Sequence, residues 1–326
     1  MEIIVTGGAG YIGSHVVNSL IEEGASVMCI DNLSTGNLSF VHPEAAFKCG
    51  DVQDFEFIKK CMQGIREPEN AGVIHLAGLK YASESVQKPI DFYAVNIGGT
   101  LNLLKNMDQH GIRNIVFSSS CSIYGGIESG EKVTEKAKFN PLSPYAKSKL
   151  YAENIIEDVG QAYGMNSVSL RYFNVAGNGN IQGLDRSPYN IFPNLYRSFS
   201  QGTKFTIFGN DFETSDGTCI RDYLDVDTLS RFHTSMIRKM IAGEKLASAY
   251  NLGSETGHCV LEIVNMAKMV IGKHLEVEIV PRRVGDPAQI LADCSFAKSQ
   301  LGWQHNVSLS KMTADGWQAW ERFYSN

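Results

Sequence analysis

The chain has 326 residues, of which 43% are apolar and 20% are charged. This composition is ordinary for a globular protein, and the length is enough for one large core or two lobes. The formal net charge of −6, without a basic stripe, argues against a nucleic-acid partner. No apolar run approaches the length of a membrane span, so we expect neither a membrane helix nor a signal peptide.

The cysteine and histidine patterns argue against a disulfide-stabilised protein and against a metal-binding protein. The seven cysteines are odd in number, scattered, and lack the spacing of a zinc site or a disulfide framework. The histidines show no metal-ligand clustering. We therefore expect reduced thiols in a cytoplasmic protein and no bound metal.

The first half of the chain alternates β-branched segments with stretches of helical apolar spacing. The pattern predicts strands at Glu2–Thr6, Val27–Asp31, Gly72–Leu76 and Asn114–Ser118, and helices at Ile12–Glu22 and Asn96–Met107. Such alternation is typical of a parallel sheet covered by helices on both faces. The predicted fold class is therefore α/β with a doubly wound sheet.

A glycine-rich turn lies between the first predicted strand and the first predicted helix. Gly7, Gly10 and Gly13 allow a tight turn, close approach of the backbone to a pyrophosphate, and tight packing of helix on strand. The phosphates would then meet the helix N-terminus, which favours an anion. Asp31 ends the second predicted strand. There its carboxylate can accept hydrogen bonds from both hydroxyls of a cofactor ribose and would repel a 2′-phosphate. The sequence therefore predicts NAD rather than NADP.

Asp51 and Val52 follow another strand-like run. They are candidates for closing the adenine pocket. For Asp51 the alternative is a helix N-cap, a position that favours aspartate.

Tyr145 and Lys149 form the candidate catalytic pair. Pro144 suits the first turn of a helix, and residues four apart on a helix share a face. An ammonium beside a phenol favours the phenolate, which can act as a base. Ser120 follows the strand predicted at Asn114–Ser118 and could share the proton of the reacting hydroxyl. These residues predict a hydride-transfer site.

The character of the chain changes after about residue 171. The segment from Asn174 to Asn190 is rich in Gly, Asn and Pro, which predicts a loop. Near the end, Lys311–Tyr324 carries aromatic residues at helical spacing, which predicts a packed terminal helix. We therefore expect a cofactor domain at 1–174 and a smaller mixed α/β substrate domain at 175–326, with the chain crossing between them.

The motifs together resemble the extended short-chain dehydrogenase/reductase family, whose cofactor domain is a Rossmann fold. The similarity covers nearly the whole chain and is closest to the UDP-galactose 4-epimerase branch of that family. The segments that carry it are TGGAGYIGSH at 6–15, DNLSTGN at 31–37, HLAGLKYASESVQKP at 75–89, SSSCSIYG at 118–125, SPYAKSKL at 143–150, LRYFNVAG at 170–177, IFGNDFETSDGTCIRDYLDV at 207–226 and PRRVGD at 281–286.

This resemblance implies further site residues, a UDP-hexose substrate and a homodimer formed through helices of the cofactor domain. Implied cofactor contacts, besides the glycines and the catalytic pair, are Tyr11, Ile12, Asn32, Leu76, Ala77, Gly78, Lys80, Asn96, Ser118 and Phe173. Implied substrate contacts are Lys80, Ser120, Tyr145, Asn174, Asn190, Thr206, Ile207, Phe208, Arg221, Arg283, Asp286 and Ile290. Paired arginines also suit a diphosphate on chemical grounds.

Several alternatives remain open at this stage. Arg221 could form an internal ion pair with Asp222. Ile290 departs from both the bulky tyrosine of the galactose-restricted members and the small residue of the tolerant ones, so UDP-N-acetylhexosamines compete as substrates. Dehydratases of the family need a carboxylate before the Ile-Tyr-Gly turn, where this chain has Cys121 and Ser122. A non-catalytic NAD-binding regulator would need neither Tyr145 nor Lys149.

Overall fold

The computed structural model describes residues 1–126, 131–179, 183–283 and 286–325. Within these ranges the chain forms thirteen strands and eleven α-helices. The strands are β1 (Glu2–Thr6), β2 (Ser26–Asp31), β3 (Ala46–Cys49), β4 (Ala71–His75), β5 (Asn114–Ser118), β6 (Asn166–Tyr172), β7 (Asn174–Ala176), β8 (Phe205–Phe208), β9 (Ile220–Asp225), β10 (Ala249–Leu252), β11 (Gly257–Cys259), β12 (Val277–Val280) and β13 (Gln289–Ile290). The helices are α1 (Tyr11–Glu22), α2 (Phe55–Met62), α3 (Ala82–Gln87), α4 (Pro89–Tyr93), α5 (Gly99–Gln109), α6 (Pro144–Tyr163), α7 (Ile191–Gln201), α8 (Val226–Ile241), α9 (Val260–Ile271), α10 (Ser295–Leu301) and α11 (Leu309–Tyr324).

Seven strands form the main sheet, in the order β10-β6-β5-β4-β1-β2-β3. The pairs from β6 across to β3 are parallel. Strand β1 has β2 on one side and β4 on the other, so the winding of the sheet reverses beside β1. In such sheets the crevice at the carboxyl ends of the strands beside this switch point binds ligands. The doubly wound prediction is confirmed.

One face of the sheet is covered by a core that helices α2 and α5 share. Ile58, Leu103 and Met107 are fully buried in it together with strand residues Ile4 and Val73. Burying an aliphatic side chain of this size contributes about 1.5–3 kcal/mol. This packing fixes the strands whose carboxyl ends carry the candidate site residues.

Several predicted boundaries differ from the observed ones by one or two residues, and two of these differences involve candidate site residues. The strand predicted at Gly72–Leu76 is β4, Ala71–His75, so Leu76 follows the strand. The helix predicted at Asn96–Met107 begins instead as a π-helical turn, Ala94–Gly98, and continues as α5. A single π turn adds only one residue to a helical segment, so the apolar spacing of this segment did not distinguish it from an α-helix. The side-chain bonds of Asn96 depend on residues that are distant in the sequence. Single π turns are frequent at functional sites.

The chain divides into two compact units and passes between them five times. The first unit contains residues 1–123, 141–171 and 229–250, and the second contains 124–140, 172–228 and 251–326. The predicted boundary at 174 lies near the passage after Arg171. The segments 124–140 and 229–250 lie in the opposite units from the predicted ranges. The second of these joins the first unit through α8, where Thr234 donates a hydrogen bond to Ser19 at 3.0 Å.

The second unit is a mixed α/β structure, as predicted. Strand β9 pairs antiparallel with β11 and parallel with β7 and β13, and β8 pairs with β12. The start of the segment predicted as a loop from Asn174 forms β7, because β9 supplies it with hydrogen-bond partners; residues 180–182 of that segment lie outside the described residues. The terminal helix is confirmed: Trp317 and Trp320 are buried against Tyr196.

The described residues include no candidate membrane span. No helix among them combines the length and the apolar character needed to cross a bilayer.

Candidate active site

The glycine turn joins β1 to α1 with the geometry that the sequence predicts. Gly7 has φ +73° and its N–H donates to the carbonyl of Ile30 at 2.7 Å. A Cβ on Gly13 would overlap the carbonyl oxygen of Gly7, so the helix approaches the turn as closely as backbone allows. Gly10 is the N-cap of α1 and brings no side chain over the first-turn N–H groups. These groups and the helix dipole fit a pyrophosphate.

Two neighbours in this turn, Tyr11 and Ile12, differ in exposure. Tyr11 is buried and packs edge-on against His15, at 5.4 Å between ring centroids, whereas Ile12 is half-buried. Tyr11 therefore supports the helix start with its ring, and its backbone is the part that faces the turn.

Asp31 stands at the end of β2, as predicted. Its carboxylate accepts the N–H of Ala9 at 3.1 Å and that of Leu33 at 2.8 Å. Burial raises the pKa of the Asp31 carboxyl, and the two N–H donors oppose that rise. Each carboxylate oxygen keeps a lone pair for a ribose hydroxyl. The residue is thus oriented by the glycine turn itself.

Asp51 has a different partner from the one that the N-cap alternative requires. The N-cap of α2 is Asp54, whose side chain accepts the N–H of Phe57, so the N-cap interpretation of Asp51 is wrong. Asp51 instead accepts a hydrogen bond from Asn32 at 2.8 Å. Val52 is buried. The structure therefore brings Asn32, Asp51 and Val52 together at the ends of β2 and β3.

The segment after β4, Leu76 to Lys80, lies beside the glycine turn. The N–H of Leu76 donates to the carbonyl of Thr6 at 3.0 Å, and the N–H of Ala77 donates to the Thr6 hydroxyl at 3.3 Å. Gly78 is exposed, and Lys80 is exposed with its ammonium 5.6 Å from the ring centroid of Tyr81. The segment therefore presents main chain to the space over β1.

Asn96 holds this segment in place. Its amide oxygen accepts the N–H of Leu79 at 2.8 Å, and its amide nitrogen donates to the Leu79 carbonyl and to the Ser148 hydroxyl. The side chain is buried and its bonds go to protein groups. The predicted cofactor residue Asn96 therefore has an observed role that the sequence did not indicate, namely a clamp between the π turn, the segment after β4 and helix α6.

Helix α6 carries the predicted catalytic pair. Ser143 caps the helix by accepting the N–H of Ala146, and Pro144 occupies the first turn. Tyr145 is half-buried, with its ring edge-on to Phe92 at 6.4 Å. Lys149 is buried one turn later and donates to the main-chain carbonyl of Ser118 at 2.8 Å. The two residues share a face of α6, as predicted.

The ammonium of Lys149 is held in an apolar environment. It lies 4.8 Å from the ring centroid of Phe117. Burial lowers the pKa of Lys149 to about 8, while the nearby Glu153 carboxylate opposes that fall. A cation with a depressed pKa is typical of a lysine that serves chemistry rather than solubility.

The three serines at the end of β5 have three different partners. The Ser118 hydroxyl is buried against Nε2 of His233 at 3.0 Å, so this predicted cofactor residue offers its carbonyl, not its hydroxyl, to the site. Ser119 donates a short hydrogen bond to Glu153. Ser120 is half-buried, and its hydroxyl accepts the N–H of Ser122 at 3.2 Å. Of these three serines, Ser120 is the one whose hydroxyl is not bound to a buried side chain, and its role toward a substrate hydroxyl stays a prediction.

Two residues of this region were missed by sequence reasoning. His75 is fully buried between Thr6 and Thr100, at 2.7 and 3.0 Å, and burial lowers its pKa to about 3, so it is neutral. Ser122 is half-buried, and its buried hydroxyl oxygen has no hydrogen-bond partner among the described residues. A buried hydroxyl without a partner is costly unless a ligand supplies one. The sequence placed Ser122 only where dehydratases carry a carboxylate, and it did not indicate that the Ser122 hydroxyl is buried without a partner.

The second unit contains the predicted diphosphate arginine Arg221, on β9. It forms a short ion pair with Asp286 and donates to the Ile220 carbonyl at 2.7 Å. The alternative ion pair with Asp222 is wrong, because the neighbouring strand residue points the other way. The Asp222 carboxylate accepts backbone N–H groups instead, including those of Ser254 at 2.7 Å and Ala292 at 3.1 Å.

Arg283 stacks on an aromatic ring beside β8. Its guanidinium lies 3.9 Å from the ring centroid of Phe208, and both side chains are exposed. Ile207 is buried, so only its main chain can meet a ligand, whereas Thr206 is half-buried. A flat ring and a flat cation side by side suit a planar base and a phosphate.

The remaining predicted residues of the second unit are oriented by neighbours. Asn190 donates to the Asp185 carboxylate at 2.7 Å, and Asn174 donates to the Asp222 carbonyl at 2.9 Å. Phe173 and Ile290 are buried. Residues 284 and 285 of the Arg283–Asp286 segment lie outside the described residues.

The glycine cradle, the aspartate at the end of β2 and the Tyr145–Lys149 pair define an NAD-dependent enzyme that moves hydride and proton at a carbinol carbon. The family profile described as "NAD dependent epimerase/dehydratase family" matches residues 3–253, and the chain belongs to that family.

Several known proteins that are similar to this chain over nearly its whole length are UDP-glucose 4-epimerases. It is 38% identical over 324 residues to the UDP-glucose 4-epimerase of Lactobacillus helveticus, covering 98% of this chain and 96% of that protein. The structure of UDP-glucose 4-epimerase from Bifidobacterium longum, in complex with NAD+ and UDP, is 32% identical with a TM-score of 0.90, covering 100% and 99% of the two chains. The UDP-Glc/GlcNAc 4-epimerase of Campylobacter jejuni is 30% identical with a TM-score of 0.84, covering 98% and 99%.

The Asp31 carboxylate predicts a strong preference for NAD over NADP. Replacing Asp31 by Asn removes the negative charge and one acceptor, so the ratio of the two affinities should fall by about ten- to a hundredfold, the value of one or two charged hydrogen bonds. Titration of nucleotide-free protein with NADH and NADPH, followed by cofactor fluorescence, measures the ratio. Equal affinity of the unsubstituted protein for both would contradict the assignment.

Proposed function

We propose that this protein is a UDP-glucose 4-epimerase, which interconverts UDP-galactose and UDP-glucose through a 4-keto intermediate. The observation that carries the proposal is the half-buried Tyr145 one turn before the buried Lys149, beside the serine turn after β5. The full-length similarity to UDP-glucose 4-epimerases supports it. The glycine cradle, Asp31 and the segment after β4 would hold the cofactor.

The chain's own residues supply the proton chemistry. Bound NAD would supply the acceptor and donor for the C4 hydride of the sugar. Tyr145 removes the proton of the C4 hydroxyl and later gives it back, and Ser120 shares that proton. The Lys149 ammonium favours the phenolate form of Tyr145. Help from such a base is worth about two to four powers of ten in rate.

Inversion requires that the sugar be free to present its other face while the nucleotide stays bound. The charged groups of the second unit therefore belong to the nucleotide: Arg221 and Arg283 suit the two phosphates, and Phe208 suits uracil. Arg221 is already oriented by Asp286. A pre-oriented guanidinium loses less entropy when it binds a phosphate.

The turn after β5 carries no carboxylate that could serve elimination chemistry. Cys121 and Ser122 stand where dehydratases of the family need a carboxylate, and the Ser122 hydroxyl can only accept or donate a hydrogen bond. The lack of a carboxylate at Cys121 and Ser122 therefore favours epimerisation over elimination.

A second candidate substrate pair is UDP-N-acetylglucosamine and UDP-N-acetylgalactosamine. Ile290 is buried on β13 and is intermediate in size, and the similar Campylobacter jejuni protein is described as a UDP-Glc/GlcNAc 4-epimerase. One difference in pocket volume of this kind is worth about 1–3 kcal/mol in kcat/KM. We assign UDP-galactose and UDP-glucose as the main pair.

Replacement of Tyr145 by Phe should abolish most turnover without loss of fold or cofactor. Because the phenol is the proposed base, kcat should fall by about two to four powers of ten. Product epimers are separated and quantified after incubation with UDP-galactose. Tyr163→Phe, at the exposed end of the same helix, is the matched control and should retain full activity. An active Tyr145→Phe variant would refute the assignment.

Substrate choice is measured by comparing kcat/KM for UDP-galactose and UDP-N-acetylgalactosamine in the same preparation. We expect the ratio to favour UDP-galactose by about tenfold or more. Ile290→Ala, which opens the pocket, should lower that ratio. A ratio that favours the N-acetylated substrate would make UDP-N-acetylglucosamine and UDP-N-acetylgalactosamine the main substrate pair.

We further propose a homodimer formed through the helices of the first unit. Ile90 on α4 and Val86 on α3 are exposed by 80% and 65%, and Tyr151 on α6 is exposed by 45%. The ring of Tyr93 lies 6.4 Å from that of Tyr151, so the exposed apolar residues are continuous between α4 and α6. Contiguous apolar surface of this kind marks protein interfaces.

The dimer is tested by Ile90→Asp, which places a charge in the proposed apolar interface. We expect sedimentation analysis to show a dimer for the unsubstituted protein and a monomer for the variant, because an unpaired charge is costly to bury. Met269→Asp, at an equally exposed position on α9, is the control. A variant that remains a dimer would place the interface elsewhere.

A cytoplasmic location completes the proposal. All seven cysteines lie in the described residues, and none forms a disulfide. Unpaired thiols are typical of a reducing compartment.

A further inference from the structure

Two side chains of helix α6, one turn apart, form hydrogen bonds to two consecutive residues at the end of β5. Lys149 donates to the carbonyl of Ser118 at 2.8 Å, and Glu153 accepts the hydroxyl of Ser119. The N–H of Ser119 also donates to the carbonyls of Phe117 and Leu170. The strand end is therefore fixed on both sides immediately before Ser120.

Glu153 is itself held by an arginine of β6. Arg171 donates from Nε to both carboxylate oxygens at 3.1 Å and from a terminal nitrogen at 2.7 Å. The side chains of Arg171 and Glu153 are only 9% and 7% exposed. Burying two charges costs free energy that their attraction often only offsets, so stability alone is a weak reason for such a pair.

We propose that Glu153 is a positioning residue of the epimerase reaction: through Ser119 it fixes the turn that carries Ser120, and its charge keeps Lys149 protonated beside Tyr145. The inference rests on the proposed function. Lys149 and Glu153 are four residues apart on one face of α6, the spacing at which opposite charges attract. The same carboxylate thus acts on both partners of the catalytic tyrosine.

The groups around Lys149 leave Glu153 as its counter-charge. Tyr145 and Glu153 face it from α6, His75 from β4, and Arg171 adjoins Glu153 from β6. His233 of α8 contacts the Ser118 hydroxyl next to it. Burial lowers the pKa of His75 to about 3 and that of His233 to about 4, so both are neutral near pH 7 and do not titrate there. Arg171 stays charged at every working pH.

The sign of the effect follows from these charges. Burial favours the neutral lysine, and the Glu153 carboxylate favours the ammonium. Removal of the carboxylate should lower the pKa of Lys149 further below about 8. Above that pKa the lysine is neutral and no longer favours the phenolate of Tyr145. The alkaline limb of the kcat profile should therefore move to lower pH.

The test compares three changes of the same network. Glu153→Gln keeps an acceptor for Ser119 but removes the charge. Because it leaves Arg171 buried without a partner and could impair folding, the double variant Glu153→Gln/Arg171→Met removes both charges of the pair. Ser119→Ala removes the hydrogen bond and leaves every charge. Glu157→Gln, an exposed carboxylate one turn further along α6, is the matched control.

Two measurements are made on each protein. Lysine labelled with ¹³C at Cε is titrated by NMR without substrate, and the Lys149 signal is identified by its loss in Lys149→Arg. The kcat and KM for UDP-galactose are measured from about pH 6 to about pH 10, a range that brackets the pKa of Lys149. We expect Glu153→Gln to lower the Lys149 midpoint by about one pH unit and to shift the alkaline limb by the same amount. The double variant also removes the Arg171 cation, which opposes the ammonium, so its midpoint should fall in the same direction but by less.

Ser119→Ala should leave the Lys149 midpoint unchanged and lower kcat by about three- to tenfold with an unchanged KM. An unshifted midpoint in both Glu153 variants, or an unchanged kcat in Ser119→Ala, would overturn the inference. The NMR titration needs no turnover. An unsubstituted protein that does not epimerise UDP-hexoses would therefore refute the proposed function while the coupling of Glu153 to Lys149 is still measured.

Discussion

A buried ammonium is the constraint on which the first unit depends. The Lys149 ammonium is removed from bulk water. It donates a hydrogen bond to the carbonyl of Ser118, lies over the face of Phe117 and is attracted by the Glu153 carboxylate. Losing water without these partners would cost several kcal/mol. The lysine can therefore be accommodated only if α6 lies against the end of β5. Tyr145 lies one turn earlier on that face of α6.

The parallel sheet explains why the cofactor residues converge although they are far apart in the sequence. The carboxyl ends of neighbouring parallel strands meet at one edge, so the turn after β1, Asp31 at the end of β2 and the segment after β4 adjoin. Hydrogen bonds from Ala9 and Leu33 to Asp31, and from the segment after β4 to Thr6, lock these loops together. The cradle is thus formed by backbone groups that are preorganised before a ligand binds.

The second unit uses charge in a complementary way. Arg221 is paired with Asp286 on the face of β9 that Asp222 does not share, while the Asp222 carboxylate satisfies backbone N–H groups of the loops after β10 and β13. One strand therefore forms an ion pair on one side and organises loops on the other, because successive side chains alternate. Arg283 of the same unit stacks on the ring of Phe208.

The sequence alone determined the doubly wound class, the glycine cradle, the position of Asp31 and the pairing of Tyr145 with Lys149, because each depends on local spacing or on strand–helix alternation. It did not determine the π turn at Asn96, the five passages between units, or the partners of Arg221 and Asp51. Those features join residues dozens of positions apart. Only the tertiary structure decided them, because burial and hydrogen-bond satisfaction are properties of the packed chain, and the pairing of Glu153 with Ser119 and Arg171 is the clearest example.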